Sequence, residues 1–527
     1  MAEGYLSLVL HSHLPFVRHP EYERFLEENW LFEAITETYL PLLGVFERLK
    51  ADGVPFRLTI SVSPTLAAML GDPLLRERYV LHLERLARLA RSEAERTRGD
   101  AGFNTLARMY LERLEESLHR FTLTYGRDLI SALKGFEEQG CIELITSSAT
   151  HCFLPLFQVV PQAVKAQIDV AVQSHYHSFG SLPKGIWLPE CGYYPGLEQF
   201  LASNGLKYFF VEAHGILYAD KRPVRGLYAP LCCPNQVAAF GRDPESSKAV
   251  WSAQEGYPGN HVYREFYRDI GFDLPLEQLE PFIQTGGVRV NTGIKYYAIT
   301  GRTEQKSLYN RELALRKVQE HADHFLSSRL EQVKRLGPWM DRPPLIVCPY
   351  DAELFGHWWF EGPEWIETLL RRASQVSDRL ELLSPGDYLA RYKENQVATP
   401  SFSSWGNNGY AEVWLDGSNH WVYPHLHKAT QRLVELIKRF PNEKGIRRRA
   451  LNQAAREVLL SQASDWAFIM KMGTTVAYAV KRIREHIHNF TRIYDSLLVN
   501  HFDHEWLLRL ERKNNLFPDI DYRVFAD

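Results

Sequence analysis

The sequence predicts an α/β fold: parallel βα units curled into a closed or nearly closed barrel, with a helical insertion and a C-terminal helical segment. Three observations predict it. Short apolar β-type runs recur, separated by longer helical stretches, the pattern of parallel strands with crossover helices. One Leu-, Arg- and Glu-rich stretch interrupts that alternation. Beyond Trp421 only helical periodicity remains.

Taken in order, the strand-like runs are residues 6–10, 56–62, 142–146, 184–188, 208–211, 288–291 and 345–349. That number in about 390 residues suits a barrel. Residues 73–135 read as a helical insertion between two barrel strands, since 81–90 (LHLERLARLA) repeats apolar positions at helical spacing with charged faces. Residues 395–404 read as a linker. Helices are expected over 428–439, 446–464 and 474–498. The expected division is a barrel of residues 1–395 containing the 73–135 insertion, then a helical domain of residues 396–527 that adds to the substrate cleft.

Lys and Arg number 61 against 64 Asp and Glu, a formal net charge of −3. No basic surplus points to nucleic acid or an anionic membrane. The N-terminal apolar run is too short for a signal sequence, and no window reaches the length of a membrane span. The six cysteines form no CxxC pair, so free thiols and a cytoplasmic location are expected. Aromatic residues make up 13% of the chain, and several of the 12 Trp sit beside Gly, Asn, Asp or His. Rings in polar loops suit ligands with flat apolar faces and hydroxyl edges, such as sugars.

Three constellations carry chemistry. His11-Ser12-His13-Leu14-Pro15 closes the first strand. The i, i+2 spacing puts both imidazoles on one side, where they can bind a metal or sugar hydroxyls. Trp187-Leu188-Pro189-Glu190-Cys191-Gly192-Tyr193 places Glu190 at a strand end, with Gly192 expected to permit a tight turn. Cys191 reads as a packed thiol, because no cationic neighbour is evident. Pro349-Tyr350-Asp351-Ala352-Glu353, continuing to His357-Trp358-Trp359, ends a third apolar run in a carboxylate. Two strand-end carboxylates are what glycosidic cleavage needs, one to attack and one to protonate the leaving oxygen. Aromatic walls would raise the acid's pKa by desolvation. The Gly- and Asn-rich stretch around Trp405 and Trp414 reads as a binding rim, and Asp465-Trp466 as a site pair or a helix cap.

In order along the chain, these stretches resemble the five motifs of glycoside hydrolase family 57. Residues 11–15, 140–146, 187–193, 350–359 and 464–466 look like the first to fifth motifs, with Ser12 where many members carry Gln. The length, the C-terminal helices and the stretch from Phe240 to Asp269 resemble the family's 1,4-α-glucan branching enzymes. The resemblance implies an incomplete (β/α)7 barrel and a retaining mechanism. It implies Glu190 as nucleophile, Asp351 as acid/base, and Trp30, Trp405 and Trp414 as substrate-contacting rings. His11, His13, His151, Arg264, Asp465 and Trp466 complete the expected substrate-binding set. Phe240, Arg242 and Asp243 are expected on a loop over the site. Branching members are expected to carry a tyrosine on that loop, and residues 229–256 contain none.

The expected substrate is an α-glucan such as amylose, amylopectin or glycogen, acted on by a monomer or homodimer without metal or cofactor. Retention requires carboxyls roughly 5–5.5 Å apart. A hydrolysing α-amylase or an α-1,4-glucanotransferase of the same family is the nearest alternative. A metal-dependent carbohydrate deacetylase, holding its ion through His11, His13, His151 and Asp351, and a non-catalytic glucan-binding protein are the others.

Overall fold

The computed structural model describes residues 2–252, 255–283 and 288–526. Among the described residues nine strands form one sheet: β1 (Gly4–Ser12), β2 (Leu58–Val62), β3 (Ile142–Ser147), β4 (Gly185–Trp187), β5 (Tyr208–Val211), β6 (Leu231–Cys232), β7 (Ala238–Gly241), β8 (Leu345–Asp351) and β9 (Leu380–Leu382). Their order is β6-β7-β5-β4-β3-β2-β1-β8, with β9 added on β1. All neighbours are parallel except β6 and β7. Seven parallel strands thus curl from β7 round to β8. Among the described residues no ladder joins those two, so the barrel is incomplete.

Every residue of β1, β2, β3, β4 and β5 is buried. Strands covered on both faces read as continuous apolar runs, which is why they are visible in the sequence. The interior rings are packed tightly: Trp187 and Tyr208 are fully buried, and truncating such a side chain to Ala costs about 3–5 kcal/mol.

Between β2 and β3 the chain makes helices Pro73–Arg96, Ala101–His119 and Leu129–Glu138. Asp72, Asp100 and Asp128 cap them by accepting backbone N–H bonds, satisfying donors that a helix start otherwise leaves bare. After β9 come helices Val422–Arg439, Gly445–Ser461, Ser464–Met472, Val476–Val499 and His504–Lys513. Among the described residues no helix is long and apolar enough to cross a membrane. The six cysteines are free thiols.

Two expectations need correction. Residues 288–291 form no strand. There the chain runs irregularly past Asp269, whose carboxylate accepts the Thr292 and Gly293 backbone N–H groups that a ladder would otherwise use. Residues 229–256 are not an open loop. Apart from residues 253 and 254, which lie outside the described residues, they contain β6, β7 and helix Pro244–Trp251.

Candidate active site

The site lies at the C-terminal ends of β1, β2, β4 and β8. The β1–β8 register pairs His11 with Asp351, and the β1–β2 register pairs His11 with Ser61. His11 Nδ1 bonds Ser61 Oγ at 3.1 Å, and its Nε2 lies 2.9 Å from His151 Nε2. Its ring stacks on Trp187, with centroids 4.6 Å apart. His13 Nδ1 bonds Ser63 Oγ at 2.8 Å, and its Nε2 lies 3.1 Å from both Asp465 oxygens. His151 stacks on His13 at 3.6 Å and bonds Ser464 Oγ at 2.9 Å.

Burial, then the neighbouring imidazoles, push His11 and His151 well below the ordinary histidine range. With both rings neutral, one proton order satisfies the chain. Ser464 donates to the carboxylate of Glu190, His151 to Ser464 and His11 to His151, which leaves His11 Nδ1 to accept from the Ser61 hydroxyl, shared with Thr146 O at 3.3 Å.

Glu190 follows β4 in a short 3₁₀ turn, Pro189–Cys191. Its own backbone is left-handed, with φ 62°, and that of Cys191 follows with φ 50°. Such geometry at non-glycine residues costs about 1–3 kcal/mol each and clusters at functional sites. Gly192 itself is at an ordinary negative φ, contrary to its expected role in the turn. Its value is close approach: a Cβ there would stand 2.6 Å from the Phe153 ring and 3.0 Å from Pro189 O. Cys191 is a buried thiol whose pKa burial raises.

The indole N–H of Trp405 donates to Glu190 Oε2 at 2.6 Å, and Ser464 donates to Oε1 at 3.0 Å. The Trp405 backbone N–H also holds Glu190 O at 2.8 Å. Burial raises Glu190 to about 7 against the pull of these two side-chain bonds, and the Asp465 charge adds to the rise.

Asp351 ends β8. Burial first, then the charges of Glu353 and Glu190, raise its pKa well above the carboxylate range, while Arg242 opposes them. Among the described residues no hydrogen bond to the Asp351 carboxyl offsets this. The two carboxyls can divide the labour: Glu190 carries two hydrogen-bond donors that favour its ionised form against burial and can attack, and Asp351 can hold a proton.

Glu353 accepts from the His13 backbone N–H at 3.2 Å and from the Tyr39 hydroxyl. Tyr39 closes a π-helical turn, Ile35–Tyr39, that interrupts helices Glu28–Ala34 and Leu40–Ala51. The same turn delivers Glu37 to His357 at 2.6 Å.

Sequence reasoning overlooked Ser61, Ser63, Tyr39 and Glu37, and placed Ser464 in the fifth motif without giving it a role. The first two were signalled, since Ser61-Val62-Ser63 repeats the i, i+2 spacing of His11-Ser12-His13 on the adjacent strand.

The expected binding residues divide. Trp30 and Trp405 are half-buried. Arg242 stands 5.5 Å above the Trp405 ring and bonds Glu212 at 3.0 Å. Asp465 engages His13 rather than capping its helix.

Trp414 is 2% exposed, because its ring is stacked on Phe153 at 4.9 Å. It is a packing residue, not a rim ring. Trp466 is likewise core, its N–H spent on Leu460 O at 3.0 Å. Arg264 is buried over the Phe360 ring at 4.1 Å, facing a cavity of about 50 Å³ shared with Glu33 and Glu37. Phe240 belongs to β7 and packs on Tyr208, and Asp243 is a buried helix cap paired with Arg329 at 3.0 Å. Phe240 is thus in the barrel wall, whereas Asp243 lies in the short connection from β7 to the helix it caps, its N–H bonded to Val347 O at 3.0 Å.

Among the described residues, His13, His151 and Asp465 bring ligand atoms within 4.8 Å of one another and could hold a metal ion. Each is already engaged: His13 by Ser63 and Asp465, His151 by His11 and Ser464.

An incomplete parallel barrel with two half-buried strand-end carboxyls defines an enzyme of the glycoside hydrolase type. The profile described as glycosyl hydrolase family 57 matches residues 7–401, and the one described as 1,4-alpha-glucan branching enzyme, C-terminal, matches residues 425–525. The chain belongs to glycosyl hydrolase family 57.

It is 34% identical to a 1,4-alpha-glucan branching enzyme of Thermococcus kodakarensis, over 98% of this chain and 78% of that one. Among solved structures it is similar to the α-amylase AmyC of Thermotoga maritima, with 44% identity, a TM-score of 0.94 and 99% of each chain covered. It is also similar to the family 57 branching enzyme of Pyrococcus horikoshii, with 31% identity, a TM-score of 0.90, and 100% of this chain and 97% of that one covered.

Proposed function

We propose that the protein is a 1,4-α-glucan branching enzyme working by retaining double displacement. The observation that carries this reading is the placing of two carboxyls at strand ends, Glu190 held by the Trp405 indole N–H at 2.6 Å and the Ser464 hydroxyl at 3.0 Å, and Asp351 at the end of β8, where burial favours its protonated form. The names of the relatives and the match to the branching-enzyme C-terminal profile support the substrate. Glu190 attacks the anomeric carbon of an α-1,4-linked glucose. Asp351 gives its proton to the departing 4-oxygen, and a glucosyl ester forms. Asp351, now a base, takes the proton of an incoming 6-hydroxyl, and the ester becomes an α-1,6 branch. His11 and His13 hold hydroxyls of the sugar beside the scissile bond, and Trp30 and Trp405 present faces to glucose rings. In this reading residues 1–395 supply both carboxyls, and residues 396–527 supply the groups that hold the nucleophile.

Hydrolysis is the second reading, with water replacing the 6-hydroxyl. The 44% identity to a structure named an α-amylase favours it, as does the absence of tyrosine from residues 229–256. Amylose incubation separates the two. Falling iodine stain with few new reducing ends means branching, and many new ends mean hydrolysis. Glu190→Gln abolishes both; retained turnover would sink the assignment. Proton NMR of the first product should show the α anomer, and a β product would exclude retention.

A further inference from the structure

Arg242 directly follows β7, at the seam where no ladder joins β7 to β8. Its backbone N–H bonds Val211 O on β5 at 3.0 Å, while the next residue, Asp243, reaches across the seam to Val347 O on β8 at 3.0 Å. Tyr350 of β8 ties the same seam, its hydroxyl donating to Ser246 O at 3.0 Å. The Arg242 side chain is gripped on two sides. Glu212, just after β5, accepts from its Nη1 at 3.0 Å, and the guanidinium lies 5.5 Å from the centre of the Trp405 ring. Glu212 is itself fixed, because its other oxygen accepts the Ala213 N–H at 3.0 Å. Arg242 Nε is buried and has no hydrogen-bond partner among the described residues. A buried donor left idle is costly and calls for a reason.

The reason lies in the charges around Asp351. Burial and the charges of Glu353 and Glu190 hold its proton on, and Arg242 pulls against them. His11, its partner in the β1–β8 register, is neutral because burial lowers its pKa. Tyr39 keeps its proton, since burial and Glu353 raise its pKa well above the phenol range. Glu190 answers to other groups: Trp405, Asp465, Ser464 and His13.

Double displacement moves one negative charge between the two strand ends. Before attack the anion is Glu190, and two side-chain donors hold it. Once the glucosyl ester forms, Glu190 is neutral. Asp351 has given its proton to the leaving oxygen and is the anion. Among the described residues no hydrogen bond holds the Asp351 carboxyl, so a nearby cation decides how readily it carries that charge.

We propose that Arg242, clamped between Glu212 and the Trp405 ring at the end of β7, is a positioning residue for the second half-reaction and holds Asp351 as the anion while the ester awaits its acceptor. This rests on the double-displacement reading above. Asp351 then takes the proton of the incoming hydroxyl as the new bond to the anomeric carbon forms and the ester bond to Glu190 breaks. Both carboxyls return to their starting forms. Glu212 balances the Arg242 charge and keeps Asp351 protonated until attack.

The test follows the basic limb of kcat/KM against pH for the full chain acting on amylose. Arg242→Gln should move that limb to higher pH by about one unit, because a charge favouring ionised Asp351 is gone. Glu212→Gln should move it to lower pH, because Arg242 then acts unopposed. Arg242→Lys keeps the charge and should hold the limb near its original place. A merely structural role would lower the rate without moving the limb. With maltoheptaose as donor, acid-quenched Arg242→Gln should carry up to about tenfold more covalent glucan by intact-mass spectrometry, one pKa unit being a factor of ten.

An unmoved limb in Arg242→Gln, a common direction for Gln at 242 and at 212, or a Lys variant that behaves like Gln overturns the proposal. So does an ester population that does not rise. Should Arg242→Gln fail to fold, Glu212→Gln carries the test alone, and a limb that stays or moves to higher pH there overturns it. Turnover by Glu190→Gln overturns the functional reading instead.

Discussion

Trp405 donates its indole N–H to Glu190 across 215 residues of sequence, at 2.6 Å. A charge-assisted bond of this kind is worth about 1.5–3 kcal/mol. Trp405→Phe keeps a ring but removes the donor. It should lower kcat/KM for soluble amylose by about ten- to a hundredfold, with the fold intact by circular dichroism.

The rate should follow a bell against pH. Glu190 works ionised, so activity is lost as pH falls through about 7. Asp351 works protonated, so activity is lost again as pH rises through its elevated pKa. The two carboxyls interact, so the limbs belong to the pair. Initial rates over the pH range check this; an acidic limb in the ordinary glutamate range would contradict it.

Two variants should move the acidic limb in opposite directions. Trp405→Phe removes a bond that lowers the Glu190 pKa and shifts the limb to higher pH. Asp465→Asn removes a negative charge that raises it and shifts the limb to lower pH. A common direction for both would refute the electrostatic account.

Dialysis against EDTA should leave the rate unchanged, because His13, His151 and Asp465 are bound to one another and to serines in the catalytic arrangement. Loss of activity with rescue by zinc would favour the metal-dependent deacetylase.

Glu457 is fully buried and accepts from His486 at 2.7 Å, Asn514 at 2.7 Å, Gln453 at 2.8 Å and Asn489 at 3.2 Å. Glu457→Ala strands all four donors and should cost about 3–5 kcal/mol, seen as a fall in thermal midpoint.

The barrel was legible because its strands are buried on both faces and so read as apolar runs. Ala238–Gly241 escaped notice because Ala-Ala-Phe-Gly has no β-branched residue and only four positions. Residues 288–291 misled because Val-Arg-Val-Asn alternates like a strand, whereas a single buried carboxylate, Asp269, organises the chain just beyond them. Glu190 and Asp351 stood out as carboxylates directly after apolar runs. The burial of Trp414 could not be read, because its partner Phe153 is distant in sequence and the residues around Trp414 are polar. Ser464 was equally invisible as a partner of Glu190: only the fold brings 464 to 190.

Both side-chain bonds to Glu190 come from residues beyond 401, the last position of the hydrolase-family match. A barrel cut there would keep its two carboxyls and lose the means of setting the acidity of one of them. Recombining C-terminal segments among relatives therefore becomes a way to retune the pH response of the reaction without altering a barrel residue.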